Sequence, residues 1–383
     1  MSVMLKNIAT IAAGQGAPQG DENYCDNGTP FVKAGNLAEL LEGRAITEIQ
    51  KVSDEVAKLH KLKLYKKGSV LFAKSGMSCL KGYVYVLPQD AYVVSHLACV
   101  TPHEDISDYL GYYFQYNRPN KLVKDEAYPS ISLNDIGELQ IDIKSQSERK
   151  NIVRNLRAVE QLIKLQKLQL QEFETLIKSR FVEMFGDPLD KDRVNYYFTE
   201  CVEFNPKKSE VKDMQDVEVS FVPMECVGVD GSFTIKETGL VQDYYSGYTY
   251  FRDGDVLLAK ITPCFENGKV AIAAECMNGI GFGTTEFHVS RPLKGLTNST
   301  WIKYLLKNDI VHDLATINMS GSAGQKRIQT PFFNKLRIYV PPIEEQEQFS
   351  EFVKQVTKLK FEVQKSLDET QTLMDSLMQQ YFG

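Results

Sequence analysis

The sequence predicts an α+β fold built twice from one plan. Two mixed α/β globular domains are each followed by a helix of about 40 residues, and the two helices pair as a coiled coil in a pseudo-two-fold tandem repeat. Three observations predict it. Ile131 to Gly186 aligns without a gap with Ile328 to Gly383, at a constant offset of 197. Both copies carry apolar residues at alternating spacings of four and three. The region before each copy is mixed in pattern and repeats more loosely.

The tight repeat shares Leu139/Leu336, Ile141/Ile338, Glu148/Glu345, Val159/Val356, Leu162/Leu359, Leu170/Leu367, Leu176/Leu373 and Phe185/Phe382, among others. Ser145 to Phe185 has neither Gly nor Pro. Ser145-Gln146-Ser147-Glu148 fits a capping box, with Glu148 placed to reach back to the N-cap amide. Gly186-Asp187-Pro188 suits termination, with Gly in the left-handed C′ position and Pro unable to continue the helix. In the second copy Pro341-Pro342 precedes the helix, where a proline in the first turn loses no hydrogen bond. A helix of about 40 residues spans about 60 Å.

The expected coiled-coil seam is Ile152, Leu156, Val159, Ile163, Leu170, Phe173 and Ile177 in the first helix, running on to Met184. In the second it is Phe349, Val353, Val356, Val363, Leu367, Met374 and Leu377, running on to Tyr381. Polar residues interrupt it at Gln166, Arg180, Lys360 and Thr370. Sustained spacing near 3.5 residues favours a paired seam over two helices packed separately on globular cores.

Upstream, Gly68 to Lys74 matches Gly254 to Lys260 at an offset of 186, while Phe31-Val32 pairs with Phe221-Val222, and Pro102 with Pro292, at 190. The framework repeats while the loops drift. β-Branched and apolar runs at Ser69 to Ala73, Tyr83 to Leu87, Val256 to Ala259 and Val270 to Ala273 read as strands. Short helices are expected over Asp105 to Tyr116 and Thr300 to Leu306. The domain plan is 1–145, a helix over 146–186, 187–342, and a helix over 343–383.

Composition is that of a globular protein, 43% hydrophobic and 25% charged over 383 residues. The net charge of −6 leaves room for a local basic groove on an acidic body. Seven cysteines without a CxxC pair indicate reduced thiols and neither a disulfide framework nor a standard zinc site. No signal-peptide core and no apolar run near 20 residues are present, so a cytoplasmic protein is expected.

No catalytic constellation emerges. A phosphate-binding G-x-x-x-x-G-K-[ST] loop is absent. Gly321-Ser322-Ala323-Gly324-Gln325-Lys326 has the wrong spacing and reads as a flexible loop, and Asn205-Pro206-Lys207-Lys208 reads as a turn, not the N-P-P-[YF] loop of an amino-methyltransferase. His60, His96, His103, His288 and His312 show no metal-binding spacing, and His96 and His288 are taken as structural residues at nearly equivalent places. Ser320-Gly321-Ser322 is not a nucleophile elbow.

Binding signals are stronger. Lys58, Lys61, Lys63, Lys66 and Lys67 crowd one segment, Lys74 and Lys81 follow, and Lys260 and Lys269 occupy comparable places in the second domain. Tyrosines interleave at Tyr65, Tyr83, Tyr85 and Tyr128, and at Tyr244, Tyr245, Tyr248 and Tyr250. Cations for phosphates beside residues that reach base edges are what duplex recognition requires. A lysine run is more often a solvated face, but the match of Lys74 to Lys260 inside a duplicated segment favours a shared role.

These features resemble the specificity subunit of type I restriction–modification systems, over the whole length. The carriers are the tandem plan, the strands Val70 to Lys74 and Val256 to Lys260, and the helix lead-in Leu336 to Gln346 with its Pro-Pro-x-x-Glu-Gln character. The first copy departs from that lead-in: Lys144-Ser145 stands for Pro-Pro and Arg149 for the Gln. The resemblance implies two target-recognition domains, each reading half of a split double-stranded DNA site. It implies antiparallel long helices that space them and bind two modification subunits. Those subunits bring S-adenosylmethionine and methylate adenine, ATP-driven motor–nuclease subunits join for restriction, and no catalysis or cofactor belongs to this chain.

The candidate DNA contacts follow the duplicated strand: Lys74, Ser75, Met77, Ser78 and Lys81, then Lys260, Thr262, Asn267 and Lys269. The segment before each long helix adds Tyr128 and Ser130, then Gln325, Lys326 and Arg327. Major-groove readout is expected, since only there is every base pair distinguishable. Helices of about 60 Å would hold two readers farther apart than the 34–36 Å or so of one DNA turn. Two other readings stay open: a coiled-coil protein-interaction scaffold without a nucleic-acid role, and the adaptor of a type II system with a fused nuclease–methylase.

Overall fold

A computed structural model of the chain describes residues 2–322 and 324–383. It divides into two compact units, Met1–Gln166 with Ser366–Gly383, and Lys167–Lys365. Each unit therefore holds one mixed domain, part of the first long helix and part of the second.

In the first unit, strands β1 (Ala9–Ala13), β2 (Val70–Ala73), β3 (Val84–Val86) and β4 (Leu97–Pro102) form an antiparallel sheet in the order β1-β4-β2-β3. In the second unit, β5 (Val202–Phe204), β6 (Val256–Ala259), β7 (Val270–Ile272) and β8 (Phe287–Pro292) repeat that order as β5-β8-β6-β7. The central strands β2 and β6 are buried along their whole length, which explains their unbroken apolar runs. A second sheet follows in each unit, of three strands in the first and four in the second, with one parallel pair in each: Phe31 opposite Tyr92, and Phe221 opposite Phe282. These pairs too are related by 190.

The sheets rest on helices Ser107–Tyr116 and Ser299–Leu306, close to the expected ranges. Trp301 and Tyr109, each 1% exposed, anchor the two cores. The jump in offset from 190 to 197 has a physical origin: the second unit inserts an extra helix, Asp309–Ile317, where the first has the short turn Pro119–Leu122.

Each long helix has 40 residues, Gln146–Phe185 and Ile343–Phe382. The capping box forms, with Glu148 accepting from the Ser145 amide at 2.9 Å. These bonds hold the Glu148 carboxyl below the usual range. Gly186 ends the helix at φ 68°, donating to Val182 O. At the second helix Pro342 O accepts from the amides of Glu345 and Gln346, so the proline sits at the capping position rather than inside the first turn.

The helix segments run antiparallel within each unit. In the first, Asn155 meets Tyr381 at 3.1 Å and Gln166 donates to Ser366 at 2.9 Å. In the second, Phe181 and Phe185 pack against Phe349 with ring centroids 5.5 Å away, and Lys360 pairs with Glu174. Ile152, Leu156, Ile177, Phe349, Val356 and Leu367 are buried; Val159, Ile163, Leu170, Phe173, Val353, Val363, Met374 and Leu377 are partly exposed. The polar slots Gln166 and Thr370 are buried as well; Gln166 donates across the seam to Ser366 Oγ, and Thr370 donates to Ser366 O in its own helix.

The stripe departs from the expected one towards its end in each copy, and in the first copy Phe185 is likewise more buried than Met184. After Ile177 the buried residue is Phe181, not Arg180; its counterpart Met378 is more buried than Leu377. An α-helix has 3.6 residues per turn, so a 3.5-residue pattern must slip by one position over several turns.

The lead-in difference between the copies also has a structural consequence. Gln346 is fully buried; it donates to Leu296 O and Pro341 O and accepts from the Asn298 amide, all at 2.9–3.0 Å. Arg149, its counterpart, reaches Lys144 O and Glu104 instead, and a groove of about 900 Å³ opens beside it, lined by Asp105, Lys150, Arg154 and Arg157. Replacing Gln346 by Ala strands three main-chain groups and should cost about 2–4 kcal/mol. Arg149→Ala should cost about 1 kcal/mol, less than Gln346→Ala, since its carboxylate partner Glu104 is exposed and it leaves one main-chain carbonyl rather than three groups without a partner. Denaturant unfolding of the two variants checks this; equal losses would contradict it.

Candidate nucleic-acid interface

Each central strand ends at a lysine, Lys74 or Lys260, and the chain around it is held by main-chain bonds that repeat between the units. Lys74 N donates to His96 O at 2.9 Å, as Lys260 N does to Glu286 O. Ile131 N donates to Lys74 O at 2.8 Å, as Ile328 N does to Lys260 O at 2.9 Å. Gly76 N donates to Pro129 O, and Thr262 N to Lys326 O, both at 3.0 Å. Ser75 bridges Ser130, and Ile261 bridges Arg327. The structure thus joins, in each unit, the two segments that the sequence singled out separately: 74–81 with 128–130, and 260–269 with 325–327.

Beyond this shared frame the units differ. In the first, Gly76 (φ 77°) leads into a 3-10 turn, Met77–Lys81, that Gly82 ends at φ 63°, a left-handed conformation a side chain would resist. Met77 and Tyr128 stand out, 68% and 82% exposed. Lys81 and Ser130 are exposed, and Lys74, Ser75 and Ser78 partly so. Exposed apolar and aromatic side chains beside amines suit contact with base methyls and stacked edges.

In the second unit, Asn267, Gln325 and Lys326 are exposed, while Lys260, Thr262 and Lys269 are partly covered. Burial holds the Lys260 ammonium below the usual lysine value. Lys269 donates to Met224 O at 3.1 Å and Thr262 to Glu266 at 2.9 Å, so both already have partners. Arg327 is paired with Glu286. The Gly-rich segment read as a flexible loop contains Ala323, which lies outside the described residues. Of the upstream lysine run, Lys66 is engaged by Asp90 at 2.8 Å and Lys63 lies over the Tyr65 ring.

His96 and His288 lie two positions apart in the repeat and are not equivalent. His96 lies just before β4, while His288 lies within β8. Strand register matches His288 to Ala98, and His96 to Glu286. His96 is exposed and bonds Ser75 Oγ at 2.8 Å. His288 is buried, with Nε2 on Ile328 O at 3.0 Å and Nδ1 facing Asn205 Nδ2. Asn205, read as a turn, also braces β8 by accepting from the Val289 amide. Glu286 is the residue the sequence did not flag. Only the register of β8 reveals that it faces Arg327.

A family model described as the type I restriction modification DNA specificity domain matches residues 1–175 and 199–370. The chain belongs to this family. Among curated members, this specificity-domain chain is 40% identical over 188 residues to the EcoAI and EcoEI specificity subunits of Escherichia coli, covering 47% of this chain and 31% of theirs. The MjaIX specificity subunit of Methanocaldococcus jannaschii is 28% identical over 151 residues, 37% of this chain and 33% of that one. The chain thus spans about a third of the length of the curated relatives it matches. The crystal structure of an S subunit from M. genitalium superposes with a TM-score of 0.56 at 12% identity, covering 100% of this chain and 96% of that one. A chain from a study of complex assembly in a type I system gives 0.58 at 17%, covering 100% and 97%. Both establish the fold of this specificity-domain chain.

No helix among the described residues is long and apolar enough to cross a membrane. No group of three or more metal-ligating side chains occurs among them either.

The buried His288 gives the second frame a pH dependence. Burial holds its pKa down to about 4, against 6.5 for a free imidazole. The unfolded chain takes up the proton first, so this stability is complete above about pH 6.5 and is lost as pH falls towards 4. Unfolding free energy should drop by on the order of 3 kcal/mol across that window from this group. The slope should be shallower in His288→Gln, and identical slopes in denaturant titrations would contradict the assignment.

Proposed function

We propose that this chain chooses the DNA sequence for a type I restriction–modification assembly. Each unit reads one half of a split duplex site, and the chain performs no catalysis itself. The observation that carries the reading is the duplicated main-chain frame at Lys74 and Lys260, which holds unlike side chains in the two units. A constant scaffold with variable tips suits two readers of one kind that recognise different base sets.

The candidate contacts divide by role. Lys74, Lys81, Lys260 and Lys326 are suited to phosphates; Ser75, Met77, Ser78, Tyr128, Ser130, Asn267, Gln325 and Arg327 are suited to base edges. Thr262 and Lys269 are better suited to shaping the turn, given their internal bonds.

The partners in this proposal are two modification subunits carrying S-adenosylmethionine, with ATP-driven motor–nuclease subunits added for restriction. Leu162 and Leu359 are 46% and 53% exposed, and Leu176 and Leu373 are 47% and 49% exposed. These leucines are related by the 197-residue repeat. Matched apolar residues left in solvent on both helices support two equivalent docking positions. The proposed setting is the cytoplasm, where reduced thiols are expected.

Co-expression with the candidate modification subunit, followed by mapping of methylated adenines, tests the reading. Two short base sets separated by an unread spacer are expected, with methylation lost when this chain is omitted. A contiguous site, or a site indifferent to this chain, would overturn it and favour a protein-interaction scaffold.

A further inference from the structure

We propose that Arg327, held by Glu286, reads a guanine in the half-site of the second unit, and that the first unit has no such reader at the matching place. The inference rests on the DNA-reading proposal above and deepens it.

The geometry of the pair carries the argument. Arg327 Nε donates to both Glu286 carboxylate oxygens at 3.2 and 3.0 Å, and Nη2 donates to one of them at 2.8 Å. Nη1 donates to Gln325 O at 3.2 Å. A guanidinium has five N–H donors. Three are engaged here, which leaves one on each terminal nitrogen. One remaining donor on each terminal nitrogen of a single planar fork allows a paired contact to O6 and N7 of guanine in the major groove. The side-on carboxylate fixes the plane of the fork, so little side-chain freedom remains to be lost on binding.

Two alternatives fit less well. A purely structural ion pair is not needed: the first unit keeps the same main-chain frame with Ser130 at the place of Arg327 and His96 at the place of Glu286. A phosphate contact gains little, because Glu286 already neutralises the guanidinium and would itself repel the backbone. Arg327 remains 34% exposed and Glu286 25%, so the fork is reachable while the pair stays ordered. In the first unit the matching surface offers the Ser75 hydroxyl bonded to His96, which cannot supply a bidentate donor pair.

The test uses the complete complex with its modification subunits and duplexes carrying each base at every position of both half-sites. The wild type should prefer guanine at one position of the second unit's half-site by roughly 10- to 100-fold. Arg327→Lys and Arg327→Ala should flatten that one preference while the other half-site keeps its pattern, which also shows that the variants are folded. Glu286→Gln should weaken the preference and raise salt-sensitive binding to all sequences, because it frees and uncovers the charge. An unchanged preference in the Arg327 variants, or a loss uniform across all bases, would overturn this inference alone. A wild-type complex with no sequence choice would instead sink the DNA-reading proposal on which it rests.

Discussion

The main-chain bonds from Ile131 to Lys74 and from Ile328 to Lys260 are the constraint on which the rest depends. Each ties the end of a fully buried strand to the segment that leads into a long helix. A buried amide without a partner is costly, so these bonds cannot be exchanged for others without moving the strand. Side chains projecting from the joined segments are therefore placed by the core of the unit and not by the loops around them. This explains how the connecting loops can differ in length, by four residues on one side and seven on the other, while the frame stays the same.

The long helices follow a different logic. Their seam is held by apolar packing with polar exceptions, and each exception has a partner. Gln166 bonds Ser366, and Lys360 meets Glu174. Polar pairs of this kind, half-buried at most apart from Gln166, add little stability but penalise a shifted register, because a shift would separate the partners. The Lys360 pair lies within the second unit only; its counterpart in the repeat is Ile163. The two copies of the helix are therefore similar in backbone and unlike in what fixes them. The lead-in shows the same division, with Gln346 sealing its surroundings and Arg149 leaving a groove.

Much of the architecture was legible in the sequence, because periodicity and punctuation are local. The seam from Ile152 to Leu377, the Ser145–Glu148 cap and the strands at Val70 and Val256 need no long-range information. The slip to Phe181 was not legible, since it arises from the mismatch between 3.6 and 3.5 residues per turn accumulated along the helix. The candidate interface was legible in its parts, Lys74 and Tyr128, Lys260 and Arg327, but not in their union, which depends on pairing between segments far apart in the chain. Glu286 was invisible for the same reason. It is an ordinary acidic residue until the register of β8 sets it opposite Arg327, and the misplaced match of His96 to His288 shows how a drift of two positions hides it.

The central claim is that the two units are independent readers sharing one frame. Exchange of residues 1–145 for the corresponding segment of another family member, in the assembled complex, tests it most directly by mapping the methylated site before and after. The account predicts that one half of the site changes while the other half keeps its bases. A change in both halves, or in neither, would contradict it.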